Sequence, residues 1–354
     1  MTFAIADRGV GLEHEPFIVA ELSGNHNQSL DRALALVQEA ADAGAHAVKL
    51  QTYTADTMTL DCDEGHFVIR DPKSLWHGRR LYDLYAEAHT PWEWHAPIFE
   101  KARNLGLIPF SAPFDETAVR FLETLNVPCY KIASFEITDQ PLLRCVGATG
   151  KPVIVSTGMA SLAEIEAAVA VLRQAGCRDI LLLKCTSTYP ASPLESNLRT
   201  IPHLRALFGC EVGLSDHTMG TGVSVAAVAF GASLIEKHFT LRRADGGVDS
   251  AFSLEPEELR ALVEESRRAW QSLGGVVFGG TEGEQKSKQF RRSLHASRDI
   301  AAGEALGPHN VRIVRPGSGL EPKHYDAVVG RLARVPIRFG TPLVWDLLQA
   351  REPE

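Results

Sequence analysis

Short runs rich in Val, Ile and Leu recur up to about residue 275, and most are separated by stretches whose apolar positions return every three to four residues. Eight runs stand out: Phe17–Leu22, Ala45–Gln51, Ile108–Ala112, Cys129–Ser134, Pro152–Thr157, Ile180–Thr186, Glu211–His217 and Leu234–Phe239. Near-continuous apolar runs of this length suit strands buried on both faces. The helical period is clearest in SLDRALALVQEAADAG, SLAEIEAAVAVLRQAG and the stretch Pro256–Leu273. Ser29 or Asp31 opens the first of these helices and Gly44 stops it. Strands alternating with helices predict a parallel sheet. Eight such units in about 260 residues predict an α/β fold, a closed (β/α)8 TIM barrel. An open doubly wound sheet is the alternative, but no Gly-rich fingerprint follows the first strand.

Two stretches interrupt the alternation. Residues 52–90 form a connection too long for a structureless loop, and they are expected to fold over the barrel mouth. Near residue 275 the texture changes: VVFGGTEGEQKSKQFRRS is Gly-rich and then charged, as a linker is. Beyond it Ile300-Ala-Ala-Gly303-Glu-Ala-Leu306 repeats as Ile337-Arg-Phe-Gly340-Thr-Pro-Leu343, a strand, a Gly turn and an apolar anchor. The expected domains are therefore a barrel over 1–275, a linker over 276–292 and a small β-rich domain over 293–354, too short to be very stable alone.

Charge and composition then narrow the partners. The formal net charge of −8 speaks against nucleic acid, whose binders carry a concentrated basic face. An anionic substrate would require the chain to gather its cations locally. Six scattered cysteines form no CxxC pair, and several lie in apolar runs, which fits reduced thiols and a cytoplasmic setting. The N-terminal residues show no signal-peptide pattern, and no apolar run approaches the ~18 residues of a membrane helix.

Barrel enzymes carry their chemistry at the C-terminal strand ends. Those ends here hold Glu21; Lys49 and Gln51; Ser111; Lys131, Ser134 and Glu136; Ser156 and Thr157; Lys184 and Thr186; Ser215, Asp216 and His217; and Glu236, Lys237 and His238. Buried charge without a partner is costly, so packing alone does not account for this set. Lys49 and Lys131 with Ser134, Ser156 and Ser215 would form a pocket of ammonium and hydroxyl donors suited to phosphate or carboxylate. His217 and His238, at the ends of adjacent strands, suit a divalent transition metal. His26, in SGNHN, is open between loop structure and substrate contact. Trp92 and Trp94 read as packing for the long connection.

At these residues the chain resembles the sialic acid synthase family. The matching motifs are AELSGNHN (20–27), VKLQTYTADTMTLD (48–61), YKIASFE (130–136), STGMA (156–160), KCTSTYP (184–190), GLSDHT (213–218) and IEKHFTLRRADGGVDSAFSLEP (235–256). VRPGSGL (314–320) resembles that family's antifreeze-like (SAF) domain. Within the family, TYTADTMTLD, LWHGRRLYDLYAEAHTPWEWH and DSAFSLEP are most similar to the pseudaminic acid branch. The resemblance implies condensation of phosphoenolpyruvate with an N-acetylated amino sugar in its open aldehyde form. For this branch the sugar would be 2,4-diacetamido-2,4,6-trideoxy-altrose. It also implies a divalent metal, Mn2+ first with Mg2+ or Co2+ as alternatives, and a domain-swapped homodimer. Carried over by position, His217 and His238 match metal ligands, and Lys49, Lys131, Ser134, Ser156 and Ser215 match phosphoenolpyruvate contacts. Glu21, Gln51, Glu136 and Asp249 match contacts to sugar or intermediate, and Arg315 matches an arginine offered by the partner's small domain. One departure is Ala112, where the sialic branch has Thr, so that Ser111 or a backbone amide would have to serve the phosphate.

The expected chemistry is attack of phosphoenolpyruvate C3 on the aldehyde, water addition at C2 and expulsion of phosphate. Glu21 or Glu136 would manage protons, with the assignment between them open. The same chemistry on N-acetylneuraminic or legionaminic precursors is one alternative. A Schiff-base aldolase using Lys184 or Lys237 is another, and a non-catalytic sugar-binding protein is a third.

Overall fold

The computed structural model describes residues 3–350, which form two compact units that meet in sequence at Gly274 and Gly275. In the first unit a hairpin, β1 (Phe3–Ile5) and β2 (Arg8–Val10), precedes eight parallel strands. These are β3 (Phe17–Glu21), β4 (Ala47–Thr52), β5 (Ile108–Pro113), β6 (Tyr130–Ile132), β7 (Val153–Ser156), β8 (Ile180–Cys185), β9 (Glu211–Ser215) and β10 (Leu234–His238). They pair in sequence order, and β10 closes the barrel by lying between β9 and β3. Each lies within one of the eight apolar runs or overhangs it by one residue, so the expected barrel is the observed one. Helices separate the strands, and their ends follow local chemistry. Ser29 caps Leu30–Asp42 by accepting the Arg32 amide, leaving Asp31 in the first turn. Ser161 and Glu164 form a reciprocal capping box on Leu162–Ala175.

Side-chain alternation splits each strand between two apolar layers. Ile18, Val48, Leu50, Ile132, Val155, Leu182, Leu214 and Ile235 face outward and pack against the helices. Phe17, Val19, Ala47, Phe110, Cys129, Ile154, Leu181, Leu183 and Leu234 face the barrel axis. Phe3, Ile5 and Val10 of the hairpin join this inner layer and plug the N-terminal end of the barrel. Fully burying each large side chain contributes roughly 1.5–3 kcal/mol, so the lower half of the barrel is a rigid apolar floor. The next inward positions up the strands are Glu21, Lys49, Gln51, Ala112, Lys131, Ser156, Cys185, Ser215, Glu236 and His238, and they stand on that floor.

The connection after β4 is structured. It contains helical turns at Ala55–Met58 and Gly65–Phe67 and a helix at Leu81–Ala88. Its Trp76 donates an indole hydrogen bond to the Val248 carbonyl at 3.0 Å, which ties the segment to the loop after β10.

The second unit, described on its own, holds the antiparallel pair β11 (Ser293–Ala296) and β12 (Val311–Val314). Its sequence repeat is also a structural one. Ile300 and Ile337 exchange backbone hydrogen bonds of 2.8 and 2.9 Å. Gly303 N donates to Ala333 O at 2.7 Å, and the equivalent Gly340 N donates to Ala296 O at 2.8 Å. Both glycines have φ near 80° (81° and 79°), where a side chain is strained. The repeat is therefore read by its own copy across a local two-fold, around a core that includes Leu294, Ile300, Leu306, Ile337 and Leu343.

Candidate active site

Above the apolar floor the inward groups form one charged cluster. Lys49 pairs with Glu21 and lies 3.7 Å from Glu236 Oε2. Lys131 reaches Glu236 Oε1 at 3.2 Å, and Ser215 Oγ donates to the same oxygen at 3.1 Å. Gln51 Nε2 donates to Glu21 Oε1 at 3.1 Å and to Ser23 Oγ at 3.3 Å. Ser23 Oγ in turn donates to Asp249. Glu21, Lys49, Lys131 and Glu236 are buried, and Asp249 is partly so.

Burial and neighbours set their protonation. Burial would raise Glu236, but Lys131 and Lys49 outweigh it and hold the carboxyl down at about 2. Burial pushes Glu21 up, with Lys49 only partly opposing it. Burial likewise lowers Lys131 and raises Asp249. Glu136, in the 3-10 turn Ser134–Thr138 after β6, is pushed up to about 7 by burial, against its own backbone N–H and Lys131. Its Oε2 is buried with no hydrogen-bond partner. A carboxyl in that state is poised to hold or release a proton near neutral pH.

His217 and His238 face each other with ring centroids 5.4 Å apart. His217 Nδ1 lies 2.9 Å from the Thr186 carbonyl, which fixes that nitrogen as the donor and leaves Nε2 as the lone-pair nitrogen. Cys185 Sγ lies 3.8 Å from the same Nδ1. That proton is already committed to the carbonyl, so the thiol packs on the ring edge. His238 Nδ1 is buried without a partner, and burial together with His217 and the nearby lysines keeps this imidazole neutral. Burial would lower His217, but Cys185 and the Thr186 carbonyl outweigh it and raise this imidazole, so only in its deprotonated form would His217, with the neutral His238, offer two lone pairs that fit a divalent cation. Among the described residues no group of three or more His, Cys, Asp or Glu forms a metal cage. A metal held here would therefore keep open positions for water and substrate, as catalytic sites do. Tyr189 packs over His217 at 4.5 Å and Phe252 edge-on to His238 at 4.9 Å, which restricts both rings.

A cavity of about 430 Å³ leads from this cluster to the long connection. Gln51, Glu136, His238 and Asp249 line its inner end, and Ile69, Trp76, Leu81 and Tyr85 its outer end. Beside it Ser134 Oγ accepts the Gly158 amide at 3.2 Å. A Cβ on Gly158 would collide with the Ser134 and Ser187 hydroxyls, so glycine is needed for this close approach. Ser156 Oγ is buried and unpartnered.

The structure thus brings together eleven of the sequence-predicted residues: Glu21, Lys49, Gln51, Lys131, Ser134, Glu136, Ser156, Ser215, His217, His238 and Asp249. Two others point the wrong way. Ser111 neighbours the inward Ala112, so it faces outward, where its Oγ bonds Thr52 Oγ1 at 2.6 Å beneath His95. Lys184 alternates with the inward Leu183 and Cys185, and its ammonium donates to the Cys185 carbonyl and Thr186 Oγ1 on the outer wall. Arg315 belongs to the second unit, exposed on a loop that Ser293 holds by donating to Pro316 O and accepting from Gly319 N. His26 is a loop residue: buried, it meets Thr90 at 3.2 Å, accepts the Gln28 amide and stands edge-on to Trp94. The sequence reading gave no individual site role to Ser23, Tyr189 or Trp76, although Trp76 lies in the aromatic segment Leu75–Trp94 expected to cover the sugar at the barrel mouth. Only the aromatic density of the connection and of KCTSTYP hinted at the last two.

Lys237 also faces outward, bonded to Asp216 at 3.0 Å and to the Thr218 and Gly220 carbonyls. Neither lysine offered for a Schiff base therefore opens into the cavity.

Comparison with known proteins agrees with this geometry. The NeuB family model matches residues 36–278, and the SAF domain model matches residues 291–349. The pseudaminic acid synthase of Campylobacter jejuni is 45% identical over 92% of this chain and 95% of its own length. That of Helicobacter pylori is 43% identical over 94% and 97%. The crystal structure of N-acetylneuraminic acid synthetase from Leptospira borgpetersenii in complex with citrate superposes with a TM-score of 0.71 at 31% identity, covering 81% of this chain and 95% of that one. The chain belongs to the NeuB family and carries a SAF domain in its C-terminal unit.

Proposed function

We propose that this protein is a pseudaminic acid synthase, joining phosphoenolpyruvate to 2,4-diacetamido-2,4,6-trideoxy-altrose with water and releasing phosphate. The observation that carries the reading is the convergence of buried Lys49 and Lys131 with unpartnered Ser156, Glu136 and His238 at one barrel mouth, in a chain 43–45% identical to two pseudaminic acid synthases. A Schiff-base aldolase is disfavoured by the outward Lys184 and Lys237.

In this reading Lys49 and Lys131 balance the carboxylate and phosphate of phosphoenolpyruvate, and Ser134, Ser156 and Ser215 add hydroxyl donors. His217 and His238 would hold a divalent ion, Mn2+ in the first instance, which when bound supplies Lewis-acid polarisation of a carbonyl. A bond forms between phosphoenolpyruvate C3 and the sugar aldehyde carbon, whose oxygen gains a proton. Water adds at C2, and the C–O bond to phosphate breaks. Glu136, whose carboxyl burial pushes up to about 7, would give that proton, while Glu21 is held against Lys49. Gln51, Ser23 and Asp249 supply the polar contacts for the sugar.

The decisive assay is phosphate release from phosphoenolpyruvate with a panel of N-acetylated hexosamines, before and after a chelator. Release that needs the diacetamido altrose and a divalent ion supports the reading. Equal or better use of N-acetylmannosamine, or full activity after metal stripping, refutes the corresponding part. The domain-swapped dimer is part of the same proposal. It is supported by the exposed Arg315, which has no side-chain partner among the described residues, on a loop pinned by Ser293. Arg315→Ala and His217→Ala chains, each inactive alone, should regain part of the activity when mixed and exchanged. No recovery despite exchange would sink it.

A further inference from the structure

Lysines stand on four barrel strands, at Lys49, Lys131, Lys184 and Lys237. Lys49, Lys131 and Lys237 each pair with a carboxylate, from Glu21, Glu236 and Asp216. Lys184 meets only neutral acceptors, the Cys185 carbonyl at 2.7 Å and Thr186 Oγ1 at 3.3 Å. An ammonium has three donors, so one is left over. The half-buried Lys184 lines a cavity of about 590 Å³ outside the barrel, formed mainly by the segment 194–203 that follows β8. Arg199 and His203, both exposed, line the same cavity. Among the described residues neither side chain has a hydrogen bond or ion pair, and no carboxylate lines the cavity. It shares no lining residue with the cavity at the barrel mouth. Two permanent cations and an imidazole thus meet without an acid in a chain whose net charge is −8. Arg199 and His203 are also four residues apart at the start of a helix, where like charges destabilise.

We propose that this cavity is a second anion site, separate from the barrel mouth, that takes a phosphate group, free or as a monoester, between Lys184, Arg199 and His203. A guanidinium fork and an ammonium with a spare donor make charge-assisted hydrogen bonds of the kind phosphate oxygens accept. An anion between the three groups also relieves their mutual repulsion. Leu194 and Phe230 lie beside them, and Leu194 is 93% exposed. A monoester with a carbon body would cover apolar surface that free phosphate leaves in water.

The test is calorimetric titration of inorganic phosphate, at constant ionic strength, into wild type, Lys184→Gln, Arg199→Ala and a control, Arg178→Ala. Arg178 is exposed just before β8 and lines neither cavity. Only differences between the proteins are read, so any phosphate taken up at the barrel mouth counts equally in all four. Wild type and the control should share one phosphate site per chain that weakens by at least about 10-fold in Lys184→Gln and in Arg199→Ala, each of which lacks one charged donor. Arg199 is exposed, so Arg199→Ala keeps the test open if circular dichroism shows Lys184→Gln misfolded. Equal binding by wild type and Arg199→Ala, or equal weakening in Arg178→Ala, overturns the proposal. Repeating the titration with phenyl phosphate separates the two sources. Tighter binding than inorganic phosphate, with that advantage lost in Phe230→Ala, assigns a monoester; equal binding assigns free phosphate. No turnover is involved, so the result stands apart from the proposed condensation.

Discussion

Lys237 and Lys131 are both buried lysines on barrel strands, and they have opposite surroundings. On the outer face Lys237 gives its ammonium protons to Asp216, the Thr218 carbonyl and the Gly220 carbonyl, at 3.0, 2.6 and 2.8 Å. An ammonium has three donors, so it is saturated. On the inner face Lys131 has one acceptor, Glu236 at 3.2 Å. The contrast extends to their neighbours. Outside, Asp216 also accepts from Thr218 N and Ser224, and Thr52, Ser111 and His95 satisfy one another. Inside, Glu136 Oε2, Ser156 Oγ and His238 Nδ1 have nothing. Buried polar groups are normally paired because leaving them unpaired costs stability. The saturated Lys237 on the outside holds the strand ends together, although Thr218 Oγ1 beside it is itself unpartnered, whereas the unpartnered groups inside keep bonding capacity for a ligand.

That comparison is open to direct attack. The largest effect is expected at the inner histidines: His217→Ala or His238→Ala should lower turnover by at least about a thousandfold, since a divalent ion proposed to bind there would contribute several kcal/mol by polarisation. Thermal melting should stay near wild type. A melt collapse in proportion to the activity loss would make these histidines structural. On the outer face Lys237→Met should do the reverse and cost about 3–5 kcal/mol of stability, because Asp216 is left buried without its cation. Combining it with Asp216→Leu should recover much of that loss. A neutral single variant in a denaturant melt would show that the outer pair is not what holds β9 to β10.

Glu136 gives a pH-dependent version of the test. Its folded value of about 7 lies above the usual 4.5, so the folded state binds its proton more tightly than the unfolded chain does. The associated stability is complete below about 4.5 and is lost as pH rises through 7. Relative to Glu136→Gln, wild type should lose about 3 kcal/mol between pH 4.5 and 8. Parallel melting curves for the two proteins across that range would show that the carboxyl is not desolvated. Ser156→Ala should have the smallest effect. Removing a hydroxyl that bonds nothing should leave stability within about 0.5 kcal/mol, while KM for phosphoenolpyruvate rises about 10-fold through a lost hydrogen bond to a charged group. A clear drop in melting temperature with KM unchanged would reverse that assignment.

Much of this arrangement is legible in the chain without coordinates. Strand number and position follow from apolar runs, and helix starts from Ser29 and Ser161, because each depends on neighbours close in sequence; the repeated I-x-x-G-x-x-L is legible as a repeat, but its two-fold pairing of Ile300 with Ile337 is not. Strand-end position likewise pointed to the lysines, serines and histidines that meet at the mouth. Which face each strand turns inward was decided only by the closed barrel. Ser111 and Lys184 sit at strand ends as suitably as Ser156 and Lys131 do, and one residue of phase sends them to the outer wall. Phase is set by the stagger between strands and by the hairpin that plugs the floor, contacts between residues far apart in sequence. The same holds for the pairing of Lys49 with Glu21 and of Lys131 with Glu236, and for the wall that residues 52–90 raise over the cavity. A two-residue alternation repeats along one strand, but it carries no information about its neighbours, so only closure of all eight strands could sort the charges into those that hold the fold and those left free to bind.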